Sequence, residues 1–404
     1  ETWQHRQMNL SPPQRTAVWA WQNPDPRTAF EHASAGPLQG VPFVAKDLFH
    51  VAGAPTLAGG TIHSRPQPKT SRLIAKLESL GAVLTAKTHL HEFAYGLTGE
   101  NPHYGDVEHP HHVGYTSGGS SSGSAAAVAA GVVPFALGTD TAGSLRVPSA
   151  YCGLFGWRGQ PHEPWVSDVF PLAPSFDTAG WLTATAADSA KLWQLLYGTT
   201  APANSSPRGA YLNPTSLGIN GSPASMSALS DAVAQLVDET LDADHPLAIA
   251  SLGVDTTYSV LQSTEAFAVH QSSLDRKRSA YGQAVWGRID RGRHWSAAQM
   301  DRARLHALCI RAAFESYFAD YDYLVTPITL EAAPQTSDSS TITRDQLLKL
   351  NTHVSIAGRP ALSVPVSLPG GRSLGLQIVF NQNYSPSIPA VLKRCESCFP
   401  SLYD

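Results

Sequence analysis

Residues 116–131 read TSGGSSSGSAAAVAAG, five serines and four glycines in sixteen positions, with little that could anchor a core. Gly/Ser composition by itself suggests a flexible linker. The tail of the stretch opposes that reading. Residues 124–130, SAAAVAA, are strong helix formers closed by Gly131, where a left-handed C-terminal cap belongs. The segment therefore predicts a Gly/Ser loop feeding the N-terminus of a buried helix, a place where backbone N–H groups can approach a ligand closely. A phosphate loop fits poorly, because no Gly-Lys-Ser/Thr follows and no basic residue lies between Thr116 and Gly131.

On either side, the chain alternates apolar runs with amphipathic ones. Upstream, GVPFVAKDLFHVAG (40–53) reads as a short strand ending in a charged turn, and SRLIAKLESLGAVLTAKT (71–88) as an amphipathic helix followed by a strand. Downstream, VVPFALGTD (132–140) reads as a buried strand, and ALSVPVSLPGGRSLGLQIVF (361–380) as two strands joined by a Pro-Gly-Gly turn. Residues 1–35, with Trp19 and Trp21 before the break NPDPR, read as an N-terminal helical arm. Residues 199–227 and 331–346 read as loop-rich. No internal repeat is present, and too few elements lie between those loops to build a second sheet. The expectation is one α/β domain over residues 1–404, with a central mixed, twisted β-sheet covered by helices on both faces.

Composition narrows the function. With 404 residues, 42% hydrophobic and 15% charged, the chain can bury a large core. A net charge of −4 provides no basic field for nucleic acid or an anionic membrane, which makes a small molecule the default partner. No window approaches the roughly 18 apolar residues of a membrane span. A cytoplasmic location is expected, and the start at Glu1 rather than Met leaves a removed leader open. Four cysteines do not form a disulfide scaffold. Cys152 and Cys309 read as buried thiols, and Cys395 and Cys398 form an isolated C-x-x-C.

A second small-residue turn, Thr139 to Ser144, lies in LGTDTAGSLRVPSAYCG (137–153). It suits an oxyanion, because tight turns present backbone N–H groups. A serine nucleophile needs a base. Histidine is the usual one, and the chain has sixteen. Lys46 is the alternative: flanked by Phe43, Val44, Ala45, Leu48 and Phe49, it would be desolvated and held neutral. Periodicity alone favours the plainer reading, a Lys46–Asp47 surface pair at a strand end.

These stretches together resemble the amidase signature family. The resemblance rests on GVPFVAKDLF, AKTHLHEFAYGLTGENPHYG, GGSSSGSAAAVAAG, LGTDTAGSLRVPSAYCGLFG and PLAPSFDTAGW, dense over 40–182 and weaker in YDYLVTPIT and NTHVSIAGRPALSVPVS. It is strongest to a subgroup of small-amide hydrolases of indole-acetamide and carboxybiuret type. The resemblance implies a Ser–Ser–Lys triad: Ser144 as nucleophile, Ser120 as bridging serine after a cis Gly119–Ser120 bond, and Lys46 as base. It also implies an oxyanion hole from the N–H groups of Thr141, Ala142, Gly143 and Ser144. Asp140 and Arg146 would pair to support that turn, and Phe93, Ala94, Tyr95 and Gly119 would line the substrate pocket. A small organic amide is the implied substrate, cleaved to a carboxylate and ammonia or an amine. No cofactor or metal is implied, and a homodimer is compatible. Two departures stand out. Ala142 replaces a frequent glycine, and WRGQPHEPW (157–165) replaces the usual continuation, which predicts an altered entrance beside Trp157 and Trp165.

Other readings remain open at this level. Gly119 to Gly123 satisfies G-x-S-x-G, which would make Ser121 an α/β-hydrolase elbow nucleophile with Asp338 or Asp345 and His353 as partners. An elbow needs an apolar strand before it, and YGDVEHPHHVGYT (104–116) is polar. His103, His109, His111 and His112 in the same region invite a metal but lack helical spacing. An ammonia-releasing amidotransferase component is a further alternative.

Overall fold

Strand β2 (Pro42–Lys46) places Phe43 and Ala45 in one buried cluster and Val44 in another, and β4 (Phe135–Asp140) divides Phe135 and Leu137 from Ala136 in the same way. Successive strand residues point to opposite faces, so this part of the sheet is covered on both sides. The computed structural model describes residues 3–198, 206–338 and 341–402. Among the described residues, eleven strands form one mixed sheet in the order β1-β3-β2-β4-β6-β5-β10-β11-β9-β7-β8. The remaining strands are β1 (Trp19–Gln22), β3 (Val83–Thr88), β5 (Phe155–Arg158), β6 (Thr178–Thr183), β7 (Gly209–Tyr211), β8 (Glu239–Thr240), β9 (Tyr323–Pro327), β10 (Ala361–Leu368) and β11 (Arg372–Phe380).

Two features position the site. Strand β2 runs parallel to β3 and β4, so their C-terminal ends lie together. That edge is where open α/β sheets place ligands. The chain leaves β3, passes the Gly/Ser loop and enters α1 (Ser122–Ala129), every residue of which is buried. Helix α1 packs on β2, β3, β4 and β6. Its small side chains allow that approach: a Cβ on Gly123 would sit 2.7 Å from the His89 carbonyl oxygen.

Helix α2 (Arg146–Tyr151) begins just after the second small-residue turn and packs on β5, β10 and β11. Two later helices close the site, α3 (Val254–His270) and α4 (Thr341–Ala357).

Several expectations need correction. The first 35 residues hold three short helices, but Trp19–Gln22 between them is strand β1 on the sheet edge, antiparallel to β3. The stretch 199–227 contains β7, the 3-10 turn Pro214–Leu217 and the start of the helix Pro223–Val233, and 331–346 contains the start of α4. Residues 199–205 and 339–340 of those stretches lie outside the described residues. Strand β7 pairs with β9 inside the same sheet, so the loop-rich stretch does not divide the molecule. Trp157 is wholly buried and stacks on Trp181 and Phe380, so it does not flank an entrance. Cys309 is exposed, whereas Cys152 is buried. Among the described residues, no helix is long and apolar enough to cross a membrane.

Candidate active site

Lys46 closes β2 on the face shared with Val44, two residues earlier, and that face meets α1. It is fully buried. The surface pair with Asp47 does not form, because Asp47 is also buried and pairs with Lys87 while accepting from the N–H groups of Leu57 and Ala58. Lys46 Nζ lies 2.7 Å from Ser120 Oγ, 2.8 Å from Thr139 Oγ1 and 3.4 Å from the Thr139 carbonyl oxygen. The Gly119–Ser120 peptide bond is cis. Burial pulls the Lys46 amine down to about 7, against Asp140 and Asp177, whose charges act to raise it.

The two serine-bearing turns meet. Ser121 N–H donates to the Ser144 carbonyl at 3.1 Å, and Ser121 Oγ donates to the Thr139 carbonyl at 3.2 Å. Ser124 Oγ donates to the Leu137 carbonyl. The serines of the Gly/Ser loop thus satisfy β4 carbonyls where the helix comes close. Ser144 lines a narrow cavity together with Ala94, Tyr95, Thr141, Ala142 and Leu172. Its hydroxyl makes no hydrogen bond among the described residues, so the structure joins Lys46 to Ser120 but does not close the Ser120–Ser144 link.

The turn from Thr139 to Ser144 is held from behind. Asp140 Oδ1 accepts from Arg146 Nη2 (2.9 Å) and Arg158 Nη1 (2.8 Å), and Oδ2 accepts from Arg146 Nε (3.0 Å). Arg146 also donates to the Asn351 carbonyl, Gln377 Oε1 and Ser355 Oγ, tying the turn to α4 and β11. Burial acts to raise the Asp140 carboxyl, but the two guanidiniums outweigh it and hold it well below the usual range. Removing the carboxylate would strand two buried cations. Asp140→Asn is expected to lower unfolding stability by about 3–5 kcal/mol, read from the urea midpoint at unchanged slope.

The expected oxyanion donors divide. Gly143 N–H is taken by Asp140 Oδ1 at 2.8 Å, in a turn where Gly143 has φ +129. The N–H groups of Thr141, Ala142 and Ser144 have no acceptor among the described residues and border the cavity. Of the expected pocket residues, Ala94 and Tyr95 line it. Phe93 does not. Its backbone is left-handed (φ 50), and its ring lies among Phe170, His270 and Tyr281. Gly119 packs against the backbone of Thr98 and Gly99 rather than the cavity.

Sequence reasoning missed Thr139, Arg158 and Asp177. Asp177 Oδ1 accepts from Thr141 Oγ1 at 2.7 Å, and Oδ2 accepts from the N–H groups of Leu172 and Ala173, fastening the cavity wall to the turn. The rival constellations are not assembled. His353 lies buried on α4 against Phe314 with neither ring nitrogen bonded, and the Ser121 hydroxyl is spent on Thr139. His103 pairs with Glu92, while His111 and His112 contact the carbonyls of Ala129 and Gly371. Cys395 and Cys398 sit on the helix Ile388–Cys398 as free thiols.

Comparison with known proteins gives consistent likenesses. The family model described as Amidase matches residues 14–383. The chain is 42% identical to indoleacetamide hydrolase of Pseudomonas savastanoi over 170 residues, 42% of this chain and 37% of that relative. The match therefore spans little more than a third of that relative's length. It is 30% identical to a 1-carboxybiuret hydrolase subunit of Pseudomonas sp. (strain ADP), covering 85% of this chain and 80% of the relative. A solved structure titled "Crystal structure of amidase" superposes with a TM-score of 0.86 at 27% identity, covering 98% of this chain and 95% of the other.

Proposed function

The chain belongs to the amidase family, and from that premise we propose that it hydrolyses a small organic amide through an acyl-enzyme on Ser144, with Ser120 and Lys46 as its proton relay. The observation that carries this reading is the buried Lys46 Nζ at 2.7 Å from Ser120 Oγ, with its amine pulled down to about 7. A neutral amine has two N–H groups and one lone pair. Thr139 offers acceptors for the former, its hydroxyl and its carbonyl, and Ser120 O–H can donate to the latter.

In the proposed reaction, Lys46 takes the Ser120 proton as Ser120 takes that of Ser144. Ser144 Oγ then attacks the amide carbon. The Ser120–Ser144 contact forms as the Ser144 side chain turns on substrate binding, since catalytic hydrogen bonds often tighten only in the complex. The oxyanion is received by the N–H groups of Thr141, Ala142 and Ser144. The relay returns a proton to the leaving nitrogen as the C–N bond breaks. Water then adds to the acyl carbon, releasing a carboxylate and restoring Ser144. The narrow cavity favours a small acyl group.

Ala142 supplies a prediction here, because it stands on the cavity wall where the resemblance leads one to expect glycine. Ala142→Gly is expected to keep turnover of small amides within about threefold and to raise kcat/KM for bulky aryl amides, since one methyl group is worth only about 1–3 kcal/mol of discrimination. Ammonia release across an amide series checks it. Loss on every amide with the fold intact would show instead that Ala142 sets the oxyanion geometry.

A second reading is favoured by one likeness. The chain is 29% identical to a glutamyl-tRNA(Gln) amidotransferase component of Symbiobacterium thermophilum, covering 88% of this chain and 82% of the relative. Release of ammonia to a partner protein would use the same residues. Affinity purification of the tagged protein from its native cells tests it: a stoichiometric second protein supports this role, and an isolated chain with full activity supports the free hydrolase.

A further inference from the structure

The far wall of the Ser144 cavity carries more positive charge than amide hydrolysis requires. Arg344, on α4, lines it together with Tyr258 and Gln262 of α3. The Arg344 side chain is 15% exposed, and its Nε has no hydrogen-bond partner among the described residues. Among the described residues, its ion-pair contact is the exposed Asp345, at 3.7 Å. Gln262 is buried beside the Tyr95 side chain with neither end of its carboxamide in a well-formed hydrogen bond, and the Tyr258 hydroxyl makes none, among the described residues.

Two more guanidiniums stand close. Arg288 Nη1 donates to the Tyr95 carbonyl at 2.6 Å, and Tyr95 Oη donates back to the Arg288 carbonyl at 3.2 Å. Arg291 has buried Nε and Nη2 without hydrogen-bond partners among the described residues and lies over the Trp295 ring. Burial first, and then the charge of Arg344, draws Arg288 down to about 10, so these cations feel one another. The carboxylates that act on the group are Asp345 and Glu100, exposed and half-buried respectively. Asp290, next in the chain to Arg291, is paired with Arg293 and His294.

Buried donors without acceptors are costly, and a cluster of guanidiniums is costlier still. A carboxylate would meet all these needs at once, because the guanidinium fork matches its two oxygens while the Gln262 amide and the Tyr258 hydroxyl can donate to its remaining lone pairs. We propose that the amide cleaved at Ser144 carries a carboxylate on its acyl side, received by Arg344 with Gln262 and Tyr258. This rests on the reading of Ser144 as nucleophile. With a cavity this narrow, the substrate class is the monoamide of a short dicarboxylic acid or a close analogue.

Binding and turnover test the two layers separately. In Ser144→Ala protein, calorimetric titration with malonamate, succinamate and glutaramate is compared with the corresponding uncharged diamides. At least one acid is expected to bind about 10- to 100-fold tighter than its diamide, the range of a charge-assisted hydrogen-bonded pair. Adding Arg344→Met should close that gap, whereas Arg344→Lys should retain part of it, and Arg344→Gln replaces the Met variant if that one fails to fold. Equal affinities across every acid–diamide pair, or a preference that survives loss of the guanidinium, would overturn the carboxylate subsite. Turnover by the unmutated enzyme then reports on the layer beneath. Neutral diamides hydrolysed as fast as the acids contradict the subsite but leave the hydrolase standing. Arg344-dependent binding of the acids without any ammonia release contradicts the hydrolase but leaves the subsite standing.

Discussion

Lys46→Ala is expected to lower kcat/KM about 10²- to 10⁴-fold, the usual contribution of a positioned general base, and to remove the pH dependence that the intact enzyme shows. The sign follows from the amine. Only neutral Lys46 can take a proton, and burial sets its midpoint at about 7. Below that midpoint the charged fraction grows as pH falls, so kcat/KM should drop tenfold per pH unit. Above it, activity should level off. A histidine base would give a similar limb, so the residue must be tested by exchange. His353, which burial drives down to about 3, packs against Phe314 and should leave the midpoint unmoved in a His353→Asn enzyme. A Lys46→Ala enzyme that keeps near-normal turnover and the same pH midpoint would refute the lysine mechanism. The measurement is kcat/KM for one good amide from pH 5.5 to 9, with melting temperature recorded to confirm the fold.

Ser144→Ala should be more damaging still, by about 10⁴- to 10⁶-fold in kcat, as for the loss of a nucleophile in other serine hydrolases. KM should change little, because the serine is small and its hydroxyl makes no bond that holds the cavity together. Ser120→Ala is expected to fall between the two in effect, since Lys46 would then have no serine to take a proton from. Ser121→Ala makes the useful contrast. Its hydroxyl is committed to the Thr139 carbonyl, so its loss touches the turn rather than the proton relay. Rate differences between the two adjacent serines are read by single-turnover ammonia release.

Much of the fold could be read from the chain because its signals are local. The apolar run before Lys46, the periodic helix Arg72–Ser79 and the two strands around the Pro-Gly-Gly turn each carry their own period, and each appears where it was expected. The Gly/Ser loop was legible for the same reason, since SAAAVAA can only be a helix that packs tightly. What stayed hidden depends on distant contacts. Arg158 reads as an ordinary strand residue until β5 is placed beside β6, which brings it to Asp140. Asp177 gives no local sign that its carboxylate will grip both Thr141 and the Leu172 wall. Arg344 fell in a stretch read as loop, so its arrival on α4 in the cavity wall had no sequence signal at all.

The errors have physical causes too. Gly143 was expected to donate to an oxyanion, but an aspartate three residues earlier in a tight turn reaches the same N–H first. Phe93 was expected in the pocket with its neighbours. With a left-handed backbone at Phe93 and Ala94, the ring lies among Phe170, His270 and Tyr281 instead. A non-glycine residue at positive φ is uncommon, and composition alone does not flag it.

The account turns on which serine becomes covalently attached. A fluorophosphonate probe forms a stable adduct with the activated serine, and peptide mass spectrometry locates it. The prediction is a single adduct on Ser144, formed quickly at pH 8, formed more slowly below pH 6.5 as Lys46 gains its proton, and nearly absent in Lys46→Ala protein. An adduct on Ser121 or Ser120 instead, or labelling of Ser144 at an unchanged rate without Lys46, would contradict it.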